Sequence, residues 1–206
     1  MPTLSKSMTR SAIVLGLFAI IATALVAFTN SATKDRVDAS KRNYTLRKLN
    51  ELIPEDMHDN ALDQDKRMVR NDLLDKKGEV PVYRVQKDGQ ITAVIISCVA
   101  PDGYSGRITL LVAVRRDGTL AGVRVTEHNE TPGLGDAIDT SKSDWIKIFN
   151  NKSLQLPPET HWRVRRDGGE FDQITSATIS SRAVVKATRN ALRYFERNKQ
   201  LLLGTS

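Results

Sequence analysis

The stretch Val82–Glu127, VYRVQKDGQITAVIISCVAPDGYSGRITLLVAVRRDGTLAGVRVTE, decides the fold class. Val82 to Gln86 is rich in β-formers, and Lys87-Asp88-Gly89-Gln90 separates it from a second such run, Ile91 to Val99. An Asp-Gly pair between two β-rich runs is a hairpin signal, because the tight turn needs backbone angles that Gly adopts freely and Asp tolerates. The pattern recurs as Ile108 to Val114, then Arg116-Asp117-Gly118-Thr119, then Leu120 to Glu127. Pro101-Asp102-Gly103 is a further turn between the two halves. These runs predict an antiparallel meander of about four strands.

Beyond the meander, the period changes to that of helices. Ser143 to Asn150, SDWIKIFN, starts with a capping residue and places Trp145, Ile146 and Phe149 close together. A last helix is expected from about Arg182 to Glu196. Val184, Ala187, Ala191, Leu192 and Phe195 form its apolar stripe, and Arg182, Lys186, Arg189 and Arg193 its opposite face. Ser180 or Ser181 is a suitable N-cap. Ahead of the meander, Leu46, Leu49, Leu52 and Ile53 recur at helical spacing until Pro54 stops the run, and a polar connector follows to about Lys77. The class is therefore α+β, with an antiparallel sheet and flanking helices.

One block stands apart. Ser11–Thr29, SAIVLGLFAIIATALVAFT, contains no charge, and ten of its 19 residues are Leu, Ile, Val or Phe. Its length is close to the ~20 residues that cross a bilayer core, and its composition favours insertion by a few kcal/mol. Lys6 and Arg10 precede it, whereas Asn30 to Thr33 after it carry no charge. That asymmetry keeps the N-terminus in the cytoplasm and exports the remainder. A cleaved signal peptide is the alternative, but its apolar region is usually ~7–15 residues long and ends at a small-residue site. The expected organisation is a cytoplasmic N-terminus (1–10), a single transmembrane helix (11–30), a helical membrane-proximal segment (31–78) and one extracytoplasmic domain (79–206).

Composition narrows the chemistry. The 206 residues carry a formal net charge of +7, but the Lys and Arg residues are dispersed and no aromatic platform accompanies them, so nucleic acid is not the expected partner. The single cysteine, Cys98, excludes an internal disulfide and thiolate metal clusters, and His58, His128 and His161 show no ligand spacing, so no metal is expected. Gly133-Leu134-Gly135 lacks the third glycine of a dinucleotide fingerprint, because Ile138 stands there. Gly103-Tyr104-Ser105-Gly106 continues with Arg107 and is no nucleophile elbow. No catalytic residue is expected, which argues against an envelope hydrolase and leaves a cofactor-free, membrane-tethered assembly module open.

Three segments are unusual for plain scaffold: PDGYSGRI (101–108), ETPGLGD (130–136) and DQITSATISS (172–181). In the last, Thr178 falls just before the final helix, where free N–H groups and the positive end of the helix dipole favour a phosphate. Arg182 and Lys186 are expected to add to that field.

DQITSATISSRAVV resembles the flavinylation segment of the FMN-binding domain family, whose pattern is D-x-x-[S/T]-G-A-[T/S]. Asp172, Thr175, Ala177 and Thr178 match it. Ser176 stands where glycine is usual, and a positive φ there would cost a serine on the order of 1–2 kcal/mol. ETPGLGD is similar to the family's loop near the flavin. APDGYSGRI and VTEHNETPGLGD, with SDWI after them, look like the G subunits of Rnf membrane complexes, ferredoxin:NAD oxidoreductases. The C subunits of sodium-translocating NADH:quinone reductases are the second resemblance.

The resemblance implies FMN joined to the Thr178 hydroxyl by a phosphoester, delivered from FAD by a dedicated flavin transferase. It implies a flavin site that includes Asp172, Thr175, Ser176 and Ala177, together with Glu130, Thr131, Pro132, Gly133, Leu134 and Gly135. Tyr104 and Trp145 are candidates for stacking on the ring, although either suits a core equally well. The other subunits of such a complex are the implied partners, and the bacterial inner membrane is the implied location.

Overall fold

The computed structural model describes residues 2–204, which fall into two compact units divided between Tyr44 and Thr45. The first unit is helical throughout, as part of α1 (Pro2–Leu52). Every side chain from residue 8 to residue 37 is exposed, including Ile13, Leu17, Phe18, Ile21, Leu25 and Phe28. A helix this apolar and this bare has a surface matched to lipid, and it is long enough to cross a membrane. Two hydroxyls near the end of the apolar block are satisfied locally: Thr29 Oγ1 donates to the Leu25 carbonyl and Thr33 Oγ1 to the Thr29 carbonyl, both at 2.8 Å.

The second unit is built on a five-stranded antiparallel sheet in the order β1-β2-β3-β4-β5. Its strands are β1 (Lys66–Val69), β2 (Val80–Lys87), β3 (Gln90–Gly103), β4 (Gly106–Arg115) and β5 (Leu120–Glu127). The last four are the expected meander. At the first turn, Asp88 and Gly89 have φ of 52° and 71°, the signs a two-residue hairpin requires. Strand β1 lies in the segment expected to be a polar connector. It is short, its residues are largely exposed, and it pairs along β2 from Lys66↔Tyr83 to Val69↔Val80. An edge strand with Lys66 and Arg67 facing solvent shows little of the alternation by which strands are recognised.

Strand β3 is buried on both faces from Ala93 to Ala100. Because side chains alternate, Val94, Ile96, Cys98 and Ala100 enter the main core beneath the C-terminal helix. Ala93 and Ile95 face the opposite way, into a smaller cluster with Leu49, Leu52 and Ile53 from the end of α1. The run Leu46–Ile53 thus packs its apolar spacing on the back of the sheet. Cys98 is a core thiol: burial pushes its pKa up to about 12, and its Sγ lies 3.8 Å from the Ala187 carbonyl.

The C-terminal helix, α2 (Thr178–Leu203), buries Val184, Ala187, Ala191, Leu192 and Phe195, the expected stripe, together with Ala183. It begins earlier than expected and runs on past a kink at Asn198 (φ −120°). Ser180 and Ser181 therefore lie inside its first turn and do not cap it.

Between β5 and α2 the chain has only short 3-10 turns, at Gly135–Ile138, Trp145–Phe149, Glu159–His161 and Arg165–Asp167. The α-helix expected at Ser143–Asn150 is the second of these. The tighter turn places Ile146 and Phe149, three apart, on one buried side. Ser143 Oγ does receive the Trp145 N–H, at 3.1 Å, in the manner of a cap. What holds this region is an aromatic cluster. Trp162 stacks on Phe149 with centroids 6.1 Å apart, and Phe171 lies 5.1 Å from Phe149 and 4.6 Å from Trp162. The Trp162 indole N–H, fully buried, donates to the Ser153 carbonyl at 3.0 Å. Gly169 closes the last loop so tightly on the Arg163 backbone that a Cβ there would come within 2.0 Å of the carbonyl oxygen.

Candidate functional site

Four separate pieces of sequence converge on one cleft of about 510 Å3: the β3–β4 turn, the loop after β5, the 3-10 turn at Arg165–Asp167, and the start of α2. Its volume falls in the range of small-molecule sites, ~300–1,000 Å3. The β3–β4 turn closes at Gly103↔Gly106 and leaves Tyr104 at its tip. The loop after β5 is fastened by Asp136, whose Oδ1 accepts the Gly133 N–H at 2.8 Å. Gly133 has φ of 78°, so a glycine is needed there for the backbone. This fold of the loop leaves Leu134 projecting.

Tyr104, Leu134 and Ile179 are 69%, 47% and 45% exposed, and all three line this cleft. Exposed large apolar side chains gathered at one concavity mark a ligand surface. Ile179 belongs to the first turn of α2 and Tyr104 to a turn some seventy-five residues earlier, so their meeting is a tertiary fact that no local pattern reveals.

The opposite end of the cleft is polar. Ser176, Ala177 and Thr178 line it, with Thr178 half-buried as the first residue of α2. Ala177 is the N-cap, and no side chain caps the helix. The first N–H groups of α2 are therefore left as donors, with the positive end of the helix dipole behind them. Ser176 has φ of 67°, the left-handed region, where a serine is disfavoured by about 1 kcal/mol relative to glycine.

The charge beside this end comes from a residue absent from the expected set. Arg166, on the 3-10 turn Arg165–Asp167, lines the cleft, and its guanidinium has no ion-pair partner among the described residues. Arg182 and Lys186, expected to supply that field, are spent elsewhere. Arg182 makes a bidentate pair with Asp167 at 2.5 and 2.7 Å, and Lys186 pairs with Asp102 at 2.5 Å. Both lie beyond the first turn of α2, on a face that meets acidic loops.

Thr131, Gly135 and Glu130 complete the lining, whereas Pro132 and Gly133 belong to the same loop but are exposed outside the cleft. Asp172 and Thr175 are exposed and outside the cleft. Asp172 pairs with Arg165 at 3.1 Å, and its carbonyl accepts the Trp145 indole N–H at 2.7 Å. Trp145 is thus a strut beneath the segment and not a wall of the cleft, its ring set edge-on to Phe149 at 5.7 Å.

Apolar walls at one end, and uncapped helix donors with a free guanidinium at the other, suit a flat aromatic ligand with a phosphate tail. Comparison with known proteins agrees. Residues 103–193 match the model of the FMN-binding domain, and residues 1–52 that of the RnfG N-terminal region. Among similar chains is the G subunit of an ion-translocating oxidoreductase complex from Pseudomonas aeruginosa, 46% identical over 97% of this chain and 94% of its own. The like-named chain of Shewanella loihica is 43% identical over 98% and 95%. That of Vibrio cholerae is 42% identical over 94% and 92%.

Proposed function

Because the chain belongs to the G subunits of ion-translocating oxidoreductase complexes and carries their FMN-binding domain, we propose that it holds FMN covalently on Thr178 and relays electrons in an Rnf-type ferredoxin:NAD oxidoreductase. The observation that carries this reading is the place of Thr178: a half-buried hydroxyl residue at the uncapped start of α2, in a cleft with apolar walls and beside Arg166. The full-length similarity to G subunits favours this family over the C subunits of NADH:quinone reductases and over a cofactor-free module.

When bound, FMN supplies the redox chemistry. The residues of the chain do the rest. Thr178 Oγ1 would hold the cofactor as a phosphoester to the FMN phosphorus, supplied by FAD with AMP as the leaving group and the hydroxyl proton released. Thr178 is an attachment point and takes no part in electron transfer. The N–H groups of α2 and the Arg166 guanidinium offset the phosphate charge. Tyr104, Leu134 and Ile179 offer apolar surface to a flat ring and keep water from its face. A tether through phosphate leaves the ring system unmodified and prevents loss of the cofactor where it is not readily replaced. Protein purified from its own host with its transferase is expected to be yellow and to remain yellow after denaturation and desalting. Colour that leaves with the small molecules would show non-covalent binding.

The same reading makes α1 a single-pass anchor in the bacterial inner membrane, with residues 1–10 cytoplasmic and the unit that follows on the far side. Lys6 and Arg10 ahead of the uncharged block support it. A reporter active only outside the cytoplasm, fused after Ser206, is expected to be active. A mature N-terminus near Ser31 would instead identify the block as a cleaved signal peptide.

A further inference from the structure

Glu130 belongs to the loop that the resemblance places near the flavin, yet both of its carboxylate oxygens are occupied by the protein. It is 4% exposed, on the wall of the cleft. Oε1 accepts the Ser105 N–H of the β3–β4 turn at 3.0 Å. Oε2 accepts the Ser180 hydroxyl of α2. Its own backbone N–H donates to His128 Nδ1 at 3.1 Å, which fixes the loop that presents it.

Two glycines make room for this carboxylate. A Cβ on Gly103 would stand 2.3 Å from the Gly106 carbonyl oxygen across the turn and 2.8 Å from Oε1, and one on Gly135 would stand 2.8 Å from Oε2 and 3.2 Å from Ser180 Oγ. Gly133 differs, because open space surrounds its Cβ position and only its φ calls for glycine. The second glycine of TPGLG is thus required by Glu130 and not by approach of the loop to a ligand.

The arrangement bears on which hydroxyl receives the cofactor. The segment 172–181 offers five: Thr175, Ser176, Thr178, Ser180 and Ser181. Ser181 Oγ donates to the Ala177 carbonyl and accepts the Ile174 N–H, each at 3.0 Å, within the core. Ser180 lines the same cleft as Thr178, two residues away, and its hydroxyl is drawn inward by Glu130. No hydrogen bond engages the Thr178 hydroxyl among the described residues. We propose that Glu130 is a positioning residue that selects the attachment hydroxyl: it sequesters Ser180 and pins the first turn of α2 to the β3–β4 turn, so that Thr178 is the hydroxyl presented. This rests on the reading of Thr178 as the attachment point.

The test is flavin loading of the full-length chain by its transferase with FAD, followed by intact mass over time and by peptide mapping. Glu130→Ala is expected to load Thr178 about tenfold or more slowly, the scale of misplacing a reacting group, and to carry FMN on Ser180 as well. Glu130→Gln is expected to restore most of the Thr178 selectivity lost in Glu130→Ala, because its amide oxygen still accepts from Ser105 and its N–H can donate to Ser180 Oγ, which holds that side chain in place with the direction of the bond reversed. Gly135→Ala drives a methyl against Oε2 without removing the carboxylate, and the same redistribution to Ser180 is expected. It decides the matter if Glu130→Ala does not accumulate. Thr178 as the only modified residue in both Glu130→Ala and Gly135→Ala would overturn the inference, and so would a Glu130→Gln variant that behaves like Glu130→Ala. An unaltered chain that carries no FMN on Thr178 would refute the attachment reading itself, a result distinct from either.

Discussion

Thr178→Ala is expected to leave the chain with no covalent flavin while its stability changes by no more than about 1 kcal/mol. The loss should be complete because the neighbouring hydroxyls do not stand in for it. Ser180 and Ser181 are buried and hydrogen-bonded. Thr175 is exposed and outside the cleft. Ser176 lines the cleft, but its backbone is held at a φ of 67° before the helix begins. Stability should barely move, because Thr178 is half-buried, makes no cap, and is replaced by a better helix former. Mass spectrometry of the variant beside the unaltered chain, with chemical unfolding of both, measures the two effects. FMN retained on the variant and mapped to Ser176 would move the attachment point without changing the cofactor.

The second large effect is structural. Phe149→Ala is expected to destabilise the folded unit by about 3–5 kcal/mol, a large part of the ~5–15 kcal/mol that holds a typical domain together. Phe149 is fully buried and touches Trp145, Trp162 and Phe171. Those rings are what order the chain between β5 and α2, where short 3-10 turns supply little cooperative structure of their own. Asp172 and the approach to Thr178 hang from the same cluster through the Trp145 indole N–H. The variant should therefore also take up flavin poorly. Urea unfolding of the full-length chain in detergent measures the first effect. A loss below ~1 kcal/mol would show that the cluster is not what holds this region.

The sheet was legible because two of its hairpins are closed by Asp-Gly turns and its central strands are strongly apolar. Pro101-Asp102-Gly103, expected as a turn, ends β3 instead and the chain reverses at Tyr104-Ser105. Strand β1 escaped because Lys66 and Arg67 at a sheet edge look like any polar connector. The apolar stripe of α2 was legible, but its start was not. Ser180 and Ser181 have the chemistry of caps, and tertiary partners, Glu130 and the Ile174 N–H, recruit them as interior residues instead. At the site, residues from two motifs line one cleft, Ser176, Ala177 and Thr178 from the first and Glu130, Thr131, Leu134 and Gly135 from the second. Arg166 could not be found locally. It is one of several dispersed arginines, and only the pairing of Arg182 with Asp167 reveals which cation remains for the cleft. Trp145, a candidate for stacking on a ring, stands outside the lining of the cleft with its indole N–H on the Asp172 carbonyl.

The most direct test of the account is the intact mass of the protein taken from its native host, with its transferase present. The account predicts one species heavier than the polypeptide by a single FMN in phosphoester linkage, with the added mass mapping to the peptide that contains Thr178. A native-host protein at its unmodified mass would contradict it.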